Sequence, residues 1–173
     1  MKQKVLLHTC CAPCATHAIE TLMKEYDVTL FFSNSNISPE EEYEKRFANA
    51  KKIAKIYELE LIEDKYDHDA WLEHIKGLEN EPERGMRCAK CFEHNLKCTA
   101  DYARNNGFDL FTTTLSISPH KDVALIFGIG MGLGNFLAID FKKDDGFKHS
   151  CDLSREHNLY RQRYCGCEFS TSK

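Results

Sequence analysis

Seven of the chain's nine cysteines fall in three short clusters, and that grouping constrains the fold more than any other feature of the 173 residues. Cys10, Cys11 and Cys14 form C-C-x-x-C, Cys88 and Cys91 form C-x-x-C, and Cys165 and Cys167 form C-x-C; only Cys98 and Cys151 stand alone. Neighbouring residues cannot surround a metal by themselves, so a thiol-rich centre needs a fold that returns distant segments to one place. No run approaches the roughly 18 apolar residues of a membrane span, and "MKQKVLLHTCCAPC" lacks a long apolar core and a small-residue cleavage site. The chain is therefore read as cytoplasmic. In the reducing cytosol an odd, clustered set of cysteines points to metal binding or thiol redox chemistry rather than to structural disulfides.

The hydrophobic pattern supplies a fold of that kind. "KVLLHT" reads as a short buried strand and "APCATHAIETLMKEY" as the helix after it, so Cys10 and Cys11 end a strand. "DVTLFFSNSN" is a second strand. A helix over "SPEEEYEKRFANAKKIAKIYE" follows, with Ser38 as N-cap and Pro39 at its first position. "LELIED" reads as a third strand, and Trp71, Leu72, Ile75 and Leu78 mark a helix. Cys88, Cys91 and Cys98 share the next helix, "FDLFTTTL" is a strand, "SPHKDVALIFGIGMGLG" a helix with a glycine-rich end, and "NFLAIDF" a last strand. Alternating strands and helices predict one α/β domain over residues 1–173, a doubly wound and mainly parallel sheet with helices on both faces. The last 30 or so residues carry no regular pattern and are expected to pack back over the sheet edge. Ligands of such sheets sit beyond the strands' carboxyl ends, where Cys10, Cys11 and the Thr112 to Ser118 segment converge.

Cys88 and Cys91 on a helical turn, facing a strand-end Cys10–Cys11 pair, offer four thiolates to a zinc ion or an iron-sulfur cluster. Adjacent cysteines diverge, which suits the separated iron corners of a cubane better than one zinc. Cys14 lies near a helix N-terminus, which favours its thiolate. It is open to three readings: ligand of a second metal, spare cluster ligand, or packed thiol, the last slightly preferred on spacing alone. A C-x-C pair closes a strained and therefore oxidising ring, suited to delivering two electrons, with Gly166 permitting the tight turn. Two further metal ligands are the other reading of that pair. "GIGMGLG" fits no placement of G-x-G-x-x-G and follows a helix, so it is read as a helix end rather than a dinucleotide loop. His8 beside the cysteine turn and His120 beside Lys121 are candidate proton or anion contacts, each equally readable as an ordinary polar residue.

Charge is uneven. The net charge is −4, with acids outnumbering bases by 14 to 8 over residues 39–85 and bases outnumbering acids by 7 to 5 over residues 142–173. Any nucleic-acid contact would use Lys142, Lys143, Lys148, Arg155, Arg161 and Arg163, with Tyr160 and Tyr164 interleaved for stacking.

Taken together and in order, "LLHTCCAPC", "NSNISPEEEYEKR", "RCAKCFEHNL", "FDLFTTTLSISPHK", "FLAIDFKKDDGF" and "LYRQRYCGCEFS" resemble the QueH type of epoxyqueuosine reductase over residues 5–170. The resemblance implies a Rossmann-like domain that reduces the epoxide of epoxyqueuosine in tRNA to the cyclopentene of queuosine, the last step of queuosine biosynthesis. It implies a 4Fe-4S cluster on Cys10, Cys11, Cys88 and Cys91 and a catalytic redox pair at Cys165 and Cys167. A further metal, an iron, is implied beside the cluster, with Cys14 as its position-matched ligand. Where the family often carries arginine after "CF", this chain has Asn95, and Cys98 and Cys151 look like private additions. Removing an epoxide oxygen as water takes two electrons and two protons, so an electron donor is an expected partner alongside the tRNA. The alternative from a different class is a zinc-stabilised RNA-binding module without catalysis.

Overall fold

The computed structural model describes residues 1–170. Strand β1 (Lys4–His8) is followed by α1 (Ala12–Leu22), β2 (Asp27–Phe32), α2 (Glu40–Ile56), β3 (Leu61–Glu63), α3 (His68–His74) and α4 (Met86–Asn105). Then come β4 (Leu110–Thr113), a 3-10 turn (Thr114–Ile117), α5 (Val123–Gly132) and α6 (Gly146–Glu156). The four strands lie in the order β3-β2-β1-β4 and are all parallel.

Period-two alternation along β1 sorts the core onto two faces. Val5 and Leu7 pack with Ala15, Ala18, Ile19 and Leu22 of α1 and Ile53 of α2, whereas Leu6 packs with Phe31, Phe111 and Ala100 and Ala103 of α4. Helices therefore cover both faces, as expected of a parallel sheet whose strands read as continuous apolar runs. The strand order reverses between β1 and β4. His8 pairs there with Thr113, so the C-C-x-x-C segment leaves the sheet at its switch point.

Three local expectations are corrected. "NFLAIDF" does not form a full strand: it meets β4 through a single bridge, Phe111 with Phe136. Beyond that bridge the hydroxyls of Thr112 and Ser116 donate to the carbonyls of Leu137 and Ile139, taking the place of a backbone ladder. Helix α2 starts one residue later than its cap signal suggests, with Pro39 at the N-cap. The tail expected to be irregular contains α6. Its buried residues Gly146, Ser150, Leu153 and Ser154 pack on α1, whose own buried face is rich in alanine. The small side chains bring the two helices close, and a Cβ added to Gly146 would stand 2.7 Å from His17 Nε2 of α1 as well as against the Phe141 carbonyl oxygen. Gly146→Ala is expected to lower stability by about 2 kcal/mol, read as a fall of several degrees in thermal unfolding by circular dichroism. An unchanged melting curve would count against this packing.

The glycine-rich stretch is a helix end. Gly128, Gly130 and Gly132 lie within α5, and Gly134 terminates it at φ +81°. No helix among the described residues is long and apolar enough to cross a membrane.

Candidate metal and thiol centre

Beyond the carboxyl end of β1 the chain turns through Thr9 and Cys10 into α1. Thr114, just after β4, fixes this turn twice: its hydroxyl accepts from the Cys10 backbone N–H and donates to Cys10 Sγ, both at 3.0 Å. Asn34 at the end of β2 donates to the Thr9 carbonyl at 2.9 Å. His8 is fully buried, with Nε2 3.0 Å from the Ser33 carbonyl and Nδ1 2.8 Å from the Thr113 hydroxyl. The carbonyl can only accept, so Nε2 carries the hydrogen. Burial pushes the His8 pKa down to about 4, so the ring is neutral and joins strands rather than serving as a proton donor.

The sulfurs of Cys10, Cys11 and Cys14 lie within 4.8 Å of one another. Cys14 thus sits with the strand-end pair while also packing against the core beneath α1. Ligands of a tetrahedral ion with bonds of about 2.3 Å stand roughly 3.8 Å apart, and soft thiolates select iron and zinc, so this donor set fits a thiophilic metal. Hydrogen bonding from Cys10 and then Cys14 holds the Cys11 thiol well below its ordinary pKa, with Gln162 of the tail adding to the effect. Cys11 hydrogen bonding in turn pushes Cys10 up to about 12, and the neighbouring Cys10 and Cys11 sulfurs raise Cys14.

Cys88 and Cys91 come from the first turns of α4, as their spacing predicts. The Arg84 backbone N–H donates to Cys88 Sγ at 3.3 Å. Cys91 packs beside Trp71, Ile75 and Cys167, and its thiol is raised first by burial and then by the nearby Cys165 and Cys167. The four cysteines of the expected cluster set thus fall into two groups, Cys10 and Cys11 with Cys14, and Cys88 and Cys91 with the C-x-C pair. One cavity of about 430 Å³ is lined by Cys10, Cys14, Cys91 and Cys165. A neighbouring cavity of about 160 Å³ shares Asn36, Cys91, His120, Lys121 and Cys165 with it and adds Cys88 and Cys167. Both groups therefore face connected space of a size suited to a small ligand or nucleoside.

The C-terminal segment does pack back over the site. Arg46 of α2, only 2% exposed, donates through its two terminal nitrogens to the carbonyls of Cys165 at 2.8 Å and Tyr164 at 3.1 Å, while its Nε pairs with Glu42 at 2.7 Å. The Ser38 backbone N–H donates to the Gly166 carbonyl, and the Tyr164 hydroxyl to the Ser38 carbonyl. Gly166 itself takes φ +152°, and a Cβ there would stand 3.0 Å from Asn36 Nδ2. That confined, positive-φ position requires glycine. The pair is asymmetric: Cys165 is exposed and Cys167 buried, and both thiols are free.

Lys121 follows His120 in the turn before α5 and lines both cavities. Burial works against its charge, but the sulfurs of Cys165, Cys10, Cys14 and Cys11 outweigh that and push its ammonium above the ordinary lysine value. Asn95 is buried and donates to Asn36 Oδ1 at 2.9 Å. Cys98 and Cys151 are half-buried and line neither cavity.

Two expectations about the tail change. The Tyr160 hydroxyl donates to Glu42 and its ring lies under Lys45, and the Tyr164 ring lies under Arg46, so both rings anchor the tail. Arg155 pairs with Asp152, away from the cavity. Sequence reasoning missed Arg46, Trp71 and the buried "SNSN" loop. The signal for the loop was a polar run attached directly to an apolar strand, and for Arg46 nothing in the local pattern marks it.

The fold and site define a class: a Rossmann-type α/β protein with thiols gathered at the sheet's switch point. The family model described as "Epoxyqueuosine reductase QueH" matches residues 5–173. Epoxyqueuosine reductase QueH of Streptococcus pyogenes is 36% identical over 98% of this chain and 71% of its own length. The Staphylococcus epidermidis protein of that name is 37% identical over 99% and 78%, and the Thermotoga maritima one 35% over 96% and 89%. A crystal structure described as a predicted subunit of tRNA methyltransferase from Methanocaldococcus jannaschii superposes with a TM-score of 0.59, covering 86% of this chain and 76% of that one at 12% identity, which is a likeness of fold alone. The chain belongs to the epoxyqueuosine reductase QueH family and is an oxidoreductase. Family membership removes the non-catalytic RNA-binding module as a reading.

Proposed function

We propose that the chain, a single reductase domain over residues 1–173 working in the cytoplasm, reduces the epoxide of epoxyqueuosine in tRNA to the cyclopentene of queuosine. The observation that carries this reading is the convergence of six thiols from three distant segments on adjoining cavities at the switch point of the sheet, with the buried Cys11 sulfur beside those of Cys10 and Cys14. Cys10, Cys11, Cys88 and Cys91 would hold a 4Fe-4S cluster, and Cys14, beside Cys10 and Cys11, would ligate an additional iron. Bound there, the iron-sulfur centre supplies one-electron transfer and Lewis acidity.

The chain's own residues do the rest. Removal of the epoxide oxygen consumes two electrons and two protons and releases water. Cys165 and Cys167 would become a disulfide as they give up two electrons and two protons, and an external donor would restore the dithiol. Lys121 keeps a proton on the cavity wall, where the departing oxygen needs one. The clamp by Arg46 and Ser38 keeps the dithiol against the cavity, and Thr114 orients Cys10. The splayed base of a loop is the form in which a nucleoside of tRNA enters a cavity of this size.

Anaerobic incubation of the iron-loaded protein with epoxyqueuosine-tRNA and a reductant, followed by nucleoside mass analysis, tests the reading. Loss of one oxygen from the nucleoside is expected. Unaltered epoxyqueuosine with the iron centre intact would refute the assignment.

A further inference from the structure

We infer that single-stranded RNA is held at the rim of the large cavity by Phe147 as a base-stacking platform and by Arg161 and Arg163 as phosphate contacts. This rests on the tRNA-substrate reading and deepens it by naming the footprint.

The chain has seven arginines. Arg46, Arg84, Arg87, Arg104 and Arg155 all donate to groups within the protein. Arg161 and Arg163 are exposed, form no ion pair or hydrogen bond among the described residues, and both line the cavity that Cys10 and Cys14 also line. Two unpaired guanidinium groups beside a nucleoside-sized opening offer what the phosphates flanking an inserted base would need.

The aromatic partner comes from the helix that sequence reasoning did not anticipate. Phe147, second residue of α6, lines the same cavity while remaining 37% exposed. Covering that phenyl ring would remove apolar surface from water at the cavity mouth. A base adjacent to the inserted nucleoside is a flat apolar surface suited to that role. Tyr160 and Tyr164, the rings first expected to stack, are held by Glu42, Lys45, Ser38 and Arg46. The acidic excess over residues 39–85 keeps the footprint small, so a short loop should suffice in place of a whole tRNA.

The test is fluorescence anisotropy of a labelled stem-loop RNA titrated at several salt concentrations, with a blunt duplex of equal length as control. Two phosphate contacts predict a slope of log K against log salt of roughly −1.4, flattened by about 0.7 in Arg161→Ala and again in Arg163→Ala. Phe147→Ala should weaken binding roughly 10-fold at every salt concentration without changing the slope, Phe147→Trp should restore it, and the duplex should bind more weakly. Stem-loop binding by Phe147→Ala equal to the parent's, or an unchanged slope in both arginine variants, would overturn the footprint. If the parent reduces epoxyqueuosine in tRNA while these variants bind normally, the footprint fails and the reductase reading stands. Binding as described with no reduction is the reverse outcome, supporting the footprint and refuting the reductase reading.

Discussion

Arg46→Ala is expected to lower the melting temperature by roughly 6–12 °C and to release the C-terminal pair from the cavity. Arg46 and Glu42 are 2% and 11% exposed, and removing one partner of a buried ion pair costs about 3 kcal/mol or more because the other charge loses its partner. A domain of this size converts each kcal/mol into about 2–4 °C. The same substitution removes both donors that hold the Tyr164 and Cys165 carbonyls. Cys167, buried in the parent, should then react with a thiol reagent at a rate approaching that of exposed Cys165. Arg46→Lys keeps the charge without the planar fork and should fall between the two. A Cys167 that stays slow to react in Arg46→Ala would mean that Trp71 and Ile75 alone hold the tail.

The second large effect is catalytic. Converting Cys165 and Cys167 together to serine is expected to leave the iron content unchanged and to abolish multiple turnover, because no dithiol remains to be recharged by the external donor. Quench-flow with nucleoside analysis separates a single turnover from a steady state. Unchanged turnover would contradict the relay role, and loss of iron would assign the pair as metal ligands instead. The free thiols and their unequal burial fit a pair in which Cys165 is the sulfur that meets solvent.

The parallel sheet was readable from the chain because buried strands and amphipathic helices carry different periods. β1, β2, β4 and α4 lie where those periods place them. The helix α6 was not readable, since Leu153 is the single large apolar residue on a buried face otherwise made of Gly146, Ser150 and Ser154, small residues that allow close approach to α1. The "NFLAIDF" segment misled for the opposite reason. It is apolar enough for a strand, yet hydroxyls of Thr112 and Ser116 substitute for the ladder.

The thiol clusters were visible as motifs, and the return of the C-x-C to the site followed from them. Their grouping was not. Spacing paired the strand-end cysteines with Cys88 and Cys91, whereas the fold seats Cys14 with Cys10 and Cys11, because the first turn of α1 points its third residue back toward the strand end. Arg46 was invisible for a related reason: its partners lie more than a hundred residues away in sequence.

The central claim is that Cys10 and Cys11 on one side and Cys88 and Cys91 on the other hold one iron-sulfur centre. Its most direct measurement is the visible and electron paramagnetic resonance spectrum, with iron and sulfide content, of anaerobically loaded Cys10→Ala/Cys11→Ala and Cys88→Ala/Cys91→Ala proteins. Either double substitution is expected to abolish the cluster signal and its sulfide. A cluster retained at full sulfide content in either variant would contradict it.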